Sequence, residues 1–377
     1  MTTEVFVTAT ATFLPFAPVG NDDIEDVLGR VGGKPSRARR VVLRGNGIRA
    51  RHYAIDRATG EPAMSNAQLA AAAIRALGDI GPVDCLAAGT SLPDQIMPNH
   101  AVMVHGELGW PRLEVVSCAG VCLSGIAALK YAWLAIRAGD ARCAVAAGSD
   151  LPSPLLLARH FEAEIAQRVR DLEARPVLAF DKDFLRWMLS DGAGAMVLEN
   201  APRAPLSLRI DWIELSSAAN ELPVCMYAGA ERDERGALRG WLRVPQEEWP
   251  ARSLFAIKQD VRLLNDNIVR ATLSEPLAAI MRKRGLRAAD IDWFLPHVSS
   301  QHFMQPVHDA LAGIGFPIPC ERWFSNLATK GNTGAASPYI ILDELFRSGR
   351  ITSGQRLLMF VPESGRFGSG FICMQAV

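Results

Sequence analysis

Three side chains in this 377-residue chain could together move an acyl group: the thiol of Cys122, the imidazole of His297 and the amide of Asn332. A thiolate attacks a thioester carbonyl, and N–H donors steady the oxyanion that forms. Their spacing links them. Cys122 heads a run that closes at Gly139, and Asn332, 210 positions later, heads a run that closes at Gly349. In both runs the closing glycine falls 17 positions on, where it suits the C′ position of a helix. A short polar turn and an apolar strand then follow. Val83–Gly89 matches Ile291–His297 in the same way. From Gly89 to Cys122 is 33 positions, and from His297 to Asn332 is 35. Two matches at similar separation indicate a duplicated chain with one site between its halves.

The positive end of a helix dipole is expected to lower the Cys122 pKa. Small neighbours, Ser124, Gly125, Ala127 and Ala128, are expected to leave backbone amides open and to make room for a long substrate. His297 ends an apolar strand, where α/β sheets place ligands. A papain-like site also combines Cys, His and Asn. There the His deprotonates the Cys and the Asn only orients the His, and a duplicated layout does not suit it.

Strands and helices alternate along the chain, which argues for an α/β fold. Strand-like runs include Val5–Thr10, Asp84–Gly89, Glu114–Ser117, Cys143–Gly148, Ala193–Glu199, Leu206–Leu215, Ile291–Pro296, Leu357–Val361 and Phe371–Gln375. Helix-like runs include Asn66–Leu77, Asn99–Leu108, Gly125–Ala138, Pro154–Leu172, Ile257–Arg284, His302–Ile314 and Ala335–Arg347. The helix after Cys122 is apolar nearly all round and so must be sandwiched between sheets. The halves are expected at 1–200, with the Cys, and 201–377, with the His and Asn. Residues 225–260 are irregular and read as an insertion or lid.

Composition excludes several classes. Forty basic and forty acidic side chains cancel, so no global field favours nucleic acid or an anionic membrane. No apolar run is long enough to span a bilayer. Seven cysteines without a secreted spacing point to a reducing, cytoplasmic compartment. Cys85, Cys143, Cys225, Cys320 and Cys373 read as core packing.

The motifs resemble the thiolase-fold condensing enzymes, and in particular β-ketoacyl-[acyl-carrier-protein] synthase III. Gly47-Ile-Arg-Ala-Arg-His52 resembles the family's N-terminal segment. Cys122 through Gly148-Ser-Asp150 resembles its nucleophilic helix and the next strand. Ser190-Asp-Gly-Ala-Gly-Ala195, Asp292-Trp-Phe-Leu-Pro-His297 and Gly331-Asn-Thr-Gly-Ala-Ala-Ser337 resemble three further motifs, in the family's order. The resemblance implies a five-layered αβαβα thiolase fold of two duplicated halves, a homodimer and a Cys-His-Asn triad. It implies an acyltransferase: Cys122 takes an acyl group from a thioester. A malonyl- or β-ketoacyl-thioester held by His297 and Asn332 then condenses with it in a Claisen reaction. This chemistry belongs to fatty-acid or polyketide-type biosynthesis. No cofactor or metal is implied beyond acyl-CoA or acyl-carrier-protein thioesters.

Cys118 looks more like the family's nucleophile motif than Cys122 does. Placing the nucleophile there makes the helix to Gly139 one turn too long, whereas Cys122 fits the family intervals and pairs with Asn332 in the repeat. The oxyanion hole is expected from the backbone N–H of Cys122 and of Glu363 or Ser364 in the loop Pro362–Phe367. The resemblance assigns carrier and substrate contacts to Arg44, His302 and Met97, the last toward the partner's acyl pocket. Lys34, Arg37, Arg39, Arg40 and Arg44 form a basic run suited to docking an acidic carrier protein. The chain departs from the family at Val298-Ser-Ser300 and at His302, which put the usual acetyl primer in question. Gly33–Ala38, Leu43–Ile48 and Pro362–Phe367 together resemble the branch that builds dialkylresorcinols. A non-condensing acyltransferase of the same fold and a non-catalytic partner subunit are the alternatives. Retention of all three side chains argues against the second.

Overall fold

The computed structural model of the protein describes residues 3–36, 39–161, 185–233 and 235–377. Arg37 and the expected helix of Pro154–Leu172 beyond residue 161 lie outside the described residues. The strands of the main sheet are β1 (Phe6–Phe13), β2 (Cys85–Thr90), β3 (Glu114–Ala119), β4 (Cys143–Asp150), β5 (Gly192–Glu199), β6 (Leu208–Ser217), β7 (Trp293–Pro296), β8 (Arg356–Glu363) and β9 (Gly368–Ala376). The helices that matter here are α1 (Asn66–Arg75), α2 (His100–Leu108), α3 (Leu123–Ala138), α4 (Val261–Val269), α5 (Glu275–Arg284), α6 (Met304–Gly313) and α7 (Ser337–Arg347).

The strand order is β7-β8-β9-β6-β1-β5-β4-β2-β3. A short antiparallel contact, Phe6 with Arg209 and Val7 with Leu208, joins β1 to β6 at the centre. Outward from it the two sides run alike. On one side β1–β5 and β5–β4 are antiparallel, and β4–β2 and β2–β3 are parallel. On the other, β6–β9 and β9–β8 are antiparallel, β8–β7 is parallel, and a parallel bridge from Phe294 to Trp323 follows. The aspartate before each inner parallel strand has the same task on both sides. Asp84 Oδ2 accepts from Cys143 N at 3.1 Å, and Asp292 Oδ2 accepts from Arg356 N at 2.8 Å. Each carboxylate pins the start of the neighbouring strand.

Helices α3 and α7 lie between the two sides of the sheet. Helix α3 packs on β2, β3 and β4, and also on β9, β8 and β6. Ile126, Leu129, Ala132, Trp133 and Ile136 are buried there. Burying each large side chain contributes about 1.5–3 kcal/mol. Helices α1 and α2 cover the outer face of one side. The α4–α5 segment and α6 cover the other. Five layers result, of the α/β thiolase type.

The packing overturns one expectation about Gly125. The space its missing side chain leaves is filled by protein. A Cβ on Gly125 would lie 2.2 Å from the Ala335 carbonyl oxygen, and one on Gly148 would lie 2.3 Å from the same atom. These glycines let α3 and β4 close on the turn before α7, and the Tyr339 hydroxyl donates to Gly125 O at 2.7 Å. Small residues here give backbone contact, not room for a chain. Two further readings change. Cys320 is exposed and does not pack in the core. Asn332 does not open an α-helix, because a tight turn at Gly334–Ala336 intervenes before α7.

Residues 225–260 form two small ladders. Ala230–Arg232 pairs with Leu238–Gly240, and Met226–Tyr227 pairs with Lys258–Gln259. Trp249 packs edge-on against both Trp241 and Phe255, with ring centroids 5.7 Å and 5.5 Å apart. The segment's Met226, Tyr227, Ala228, Ile257 and Gln259 contribute wall to the cavity that Cys122 lines.

Candidate active site

A cavity of about 280 Å³ opens at the strand ends and is lined by Cys122, Asp150, His297 and Asn332 among others. Each arrives on a separate element. Cys122 is the residue just before α3 and already has helical backbone angles. Asp150 ends β4. His297 follows β7, and its N–H donates to Phe360 O at 2.8 Å, which keeps it in register with β8. Asn332 is clamped by its backbone: its N–H donates to Met188 O at 3.0 Å, and its carbonyl accepts from Ser190 N at 2.9 Å. The three residues named from their types and spacing therefore share one cavity.

The charges differ from the sequence expectation. Burial, then the carboxylates of Asp150 and Glu363, push the Cys122 thiol well above its ordinary value. The helix terminus does not overcome them, so the resting group is a thiol. Burial lowers His297 to about 4, so its imidazole is neutral at physiological pH. The Asn332 side chain is oriented by Gly334, whose N–H donates to Oδ1 at 3.0 Å. The Asn332 Nδ2 donors have no protein partner among the described residues.

Asp150 is a site residue to which the sequence gave no role, although Gly148-Ser-Asp150 was visible as part of a motif. Its carboxylate accepts from Thr90 Oγ1 at 3.0 Å and from Ser91 N and Ser91 Oγ at 2.7 Å each. A fourth bond comes from Ala335 N at 2.7 Å. Burial nonetheless raises its pKa.

At the end of β8 and just past it, Pro362 and Ser364 line the cavity and Glu363 does not. The alternation of a strand turns the Glu363 side chain the other way, where backbone N–H groups of Val121 and Arg366 bond its carboxylate. The remaining assigned residues stand apart from the cavity. Arg44 and His302 are both exposed, on adjoining segments joined by Ser300 Oγ donating to Gly45 O at 3.4 Å. His302 packs edge-on against Phe303, which does line the cavity. Arg39 is ion-paired with Glu25 and Asp22, which removes it from a free basic face. Met97 is 81% exposed and does not line this chain's cavity. Cys118 is the last residue but one of β3 and is half-buried, outside the cavity lining.

Residues 281–377 match the family model described as 3-Oxoacyl-[acyl-carrier-protein (ACP)] synthase III C terminal, and residues 108–204 match the Beta-ketoacyl synthase, N-terminal domain. Beta-ketoacyl-[acyl-carrier-protein] synthase III of Xanthomonas oryzae pv. oryzae is 26% identical over 369 residues, covering 97% of this chain and 95% of that protein. The enzyme of the same name from Bordetella petrii is 28% identical over 364 residues, covering 95% and 94%. Over nearly its whole length the chain is similar to β-ketoacyl-[acyl-carrier-protein] synthase III. It is a ketosynthase III-like condensing enzyme. Among solved structures, a tetronic acid condensing enzyme superposes with a TM-score of 0.74 at 21% identity, covering 98% of this chain and 99% of that one. That likeness establishes the shared fold. Among the described residues of this ketosynthase, no helix is long and apolar enough to cross a membrane.

Proposed function

We propose that Cys122 is the acyl-carrying nucleophile of this ketosynthase and that His297 and Asn332 hold the second thioester. The observation that carries the reading is that all three side chains line one cavity whose lining is otherwise largely apolar. Sγ attacks the carbonyl carbon of an acyl thioester, the tetrahedral oxyanion collapses, and the donor's thiol leaves with the proton. The backbone N–H of Cys122 and that of Ser364, or of its neighbour Glu363, form the oxyanion hole. A malonyl- or β-ketoacyl-thioester then enters with its thioester oxygen on the N–H donors of neutral His297 and Asn332. Loss of CO2, or of the C2 proton, places negative charge on that oxygen. C2 attacks the Cys122 thioester, a carbon–carbon bond forms, and the thiol is released.

The wider reading follows the same lines. The substrates are CoA or carrier-protein thioesters, with Arg44 and His302 at the approach to the cavity. A homodimer fits the exposed Ile96, Met97 and Val102 and the outer strand β3, whose far edge has no protein partner among the described residues. All seven cysteines are free, which fits a reducing cytoplasm. The duplicated halves divide at 1–200 and 201–377. The product class we favour is of the dialkylresorcinol or aryl-lipid kind, in which a β-ketoacyl thioester is the extender.

The test is to load the protein with an acyl-CoA and add malonyl- or 3-oxoacyl-thioesters in turn. Release of CO2 or of a β-diketone product supports condensation. Acylation of the wild type with neither product from any extender contradicts it.

A further inference from the structure

Much of the cavity lining is apolar, with Leu185, Met188, Met226, Ile257, Leu264 and Ile268 among its residues. Gln259 interrupts it. This residue lines the cavity and is only 6% exposed. Its Oε1 is sealed from solvent and has no hydrogen-bond partner in the protein. Its Nε2 has no partner among the described residues either. The backbone around it is fixed. Gln259 pairs with Met226 in the short ladder, and the next residue, Asp260, caps α4 through its carboxylate, which accepts from Leu263 N at 2.9 Å. The side chain is therefore held at the wall by rigid neighbours on both sides.

A buried amide without partners costs roughly 1–3 kcal/mol, and buried polar groups are almost always paired. Nε2, which is not sealed, is the atom to which a molecule bound in the cavity can supply a partner. Thr272 is another polar side chain of the lining, brought in by a wide turn at Arg270–Ser274. Its hydroxyl is already donated to Ile268 O at 2.5 Å, so it can only accept. Widened turns of this kind recur at functional sites.

We infer that Gln259 is a specificity residue that reads a keto or hydroxyl oxygen on the acyl chain bound in this cavity. A keto or hydroxyl oxygen on the chain accepts from Nε2, the amide atom that is not sealed. A saturated chain leaves the amide unpaired and is disfavoured. This inference rests on the acyl-thioester reading above and deepens it by naming an oxygen-bearing acyl substrate.

The test measures binding first, on the full chain carrying Cys122→Ala, so that no acylation intervenes. Titration calorimetry compares a saturated acyl-CoA with its 3-oxo, 3-hydroxy and mid-chain hydroxy counterparts of equal length. At least one oxygenated chain is expected to bind roughly tenfold or more tightly than the saturated one. Gln259→Leu should abolish that difference while leaving, or improving, binding of the saturated chain. Gln259→Met serves the same purpose if the leucine variant does not fold. Loss of affinity by the same factor for every thioester, saturated included, would assign Gln259 to the shared pantetheine arm and overturn the inference. No discrimination in the parent protein, or none removed by the variant, would mean that the amide is satisfied by water alone, and would overturn it equally. The wild-type protein is then scored for an acyl adduct. Discrimination in binding without any adduct keeps Gln259 as the reader and refutes Cys122 as the nucleophile; an adduct without discrimination does the reverse.

Discussion

The Asp150 carboxylate accepts a hydrogen bond from Ala335 N at 2.7 Å, tying the end of β4 to the turn that follows Asn332. The same turn holds the Asn332 side chain, through Gly334 N–H to Oδ1. Asp150 thus positions Asn332 through two backbone groups, and it does so across the two sides of the sheet. Replacing it with Asn puts an NH2 where an N–H donor now points. Asp150→Asn is expected to cost about 1–3 kcal/mol in urea unfolding and to lower condensation more than acylation. Gly334→Ala should be worse, because its φ is +54° and a Cβ would lie 1.9 Å from Asp150 Oδ2.

Cys122 should behave as a thiol at rest. Its pKa is raised by burial, Asp150 and Glu363, so the thiolate fraction climbs throughout the range below pH 9. Alkylation by iodoacetamide is expected to rise about tenfold per pH unit up to pH 9, without a plateau. Removing one of the two charges, in Asp150→Asn, should speed alkylation at a fixed pH. A plateau near pH 7 would show a thiolate stabilised by the helix terminus after all.

His297 is lowered to about 4, which has two consequences. Condensation should show no acidic limb near pH 6.5 from this residue, since it stays neutral well below that. In stability, the unfolded imidazole takes a proton at its ordinary 6.5 and the folded one does not until about 4. Protons therefore favour the unfolded chain in that window. The stability of the wild type relative to His297→Leu should be fully present above pH 6.5 and fall steadily toward pH 4, as read by urea unfolding at each pH.

Removing the donors should separate the two half-reactions. His297→Ala and Asn332→Ala are each expected to keep acylation of Cys122 and to lose about 10²–10³-fold in condensation, measured by single-turnover product formation.

The contact between α3 and the turn before α7 should tolerate no added atoms. Gly125→Ala must displace the Ala335 carbonyl oxygen from 2.2 Å and is expected to destabilise by about 1–3 kcal/mol or to prevent folding. Tyr339→Phe, which loses only the bond to Gly125 O, should cost about 1 kcal/mol in thermal unfolding.

The repeat made much of this fold legible. Spacing paired the run after Cys122 with that after Asn332, and both helices lie between the two sides of the sheet. Periodicity also located the core strands to within a few residues. What it could not show was which small residues touch what. Gly125 and Ala127 look alike in sequence whether they face a substrate or a carbonyl, and only packing shows that Ala335 occupies the space. The Cys122 ionisation was misread for a related reason. The helix terminus is a local feature, whereas Asp150 and Glu363 come from strands 28 and 241 positions away and meet the thiol only after folding. Gln259 gave no signal at all, because an isolated glutamine beside Asp260 resembles any surface polar pair until its amide is found buried at the cavity.

The central claim is that Cys122, and not Cys118, carries the acyl group. Intact-mass measurement after incubation with an acyl-CoA, followed by peptide mapping, tests it most directly. The account predicts one acyl adduct per chain, mapped to Cys122, retained in Cys118→Ala and absent in Cys122→Ala. An adduct that persists in Cys122→Ala, or that maps to Cys118, would contradict it.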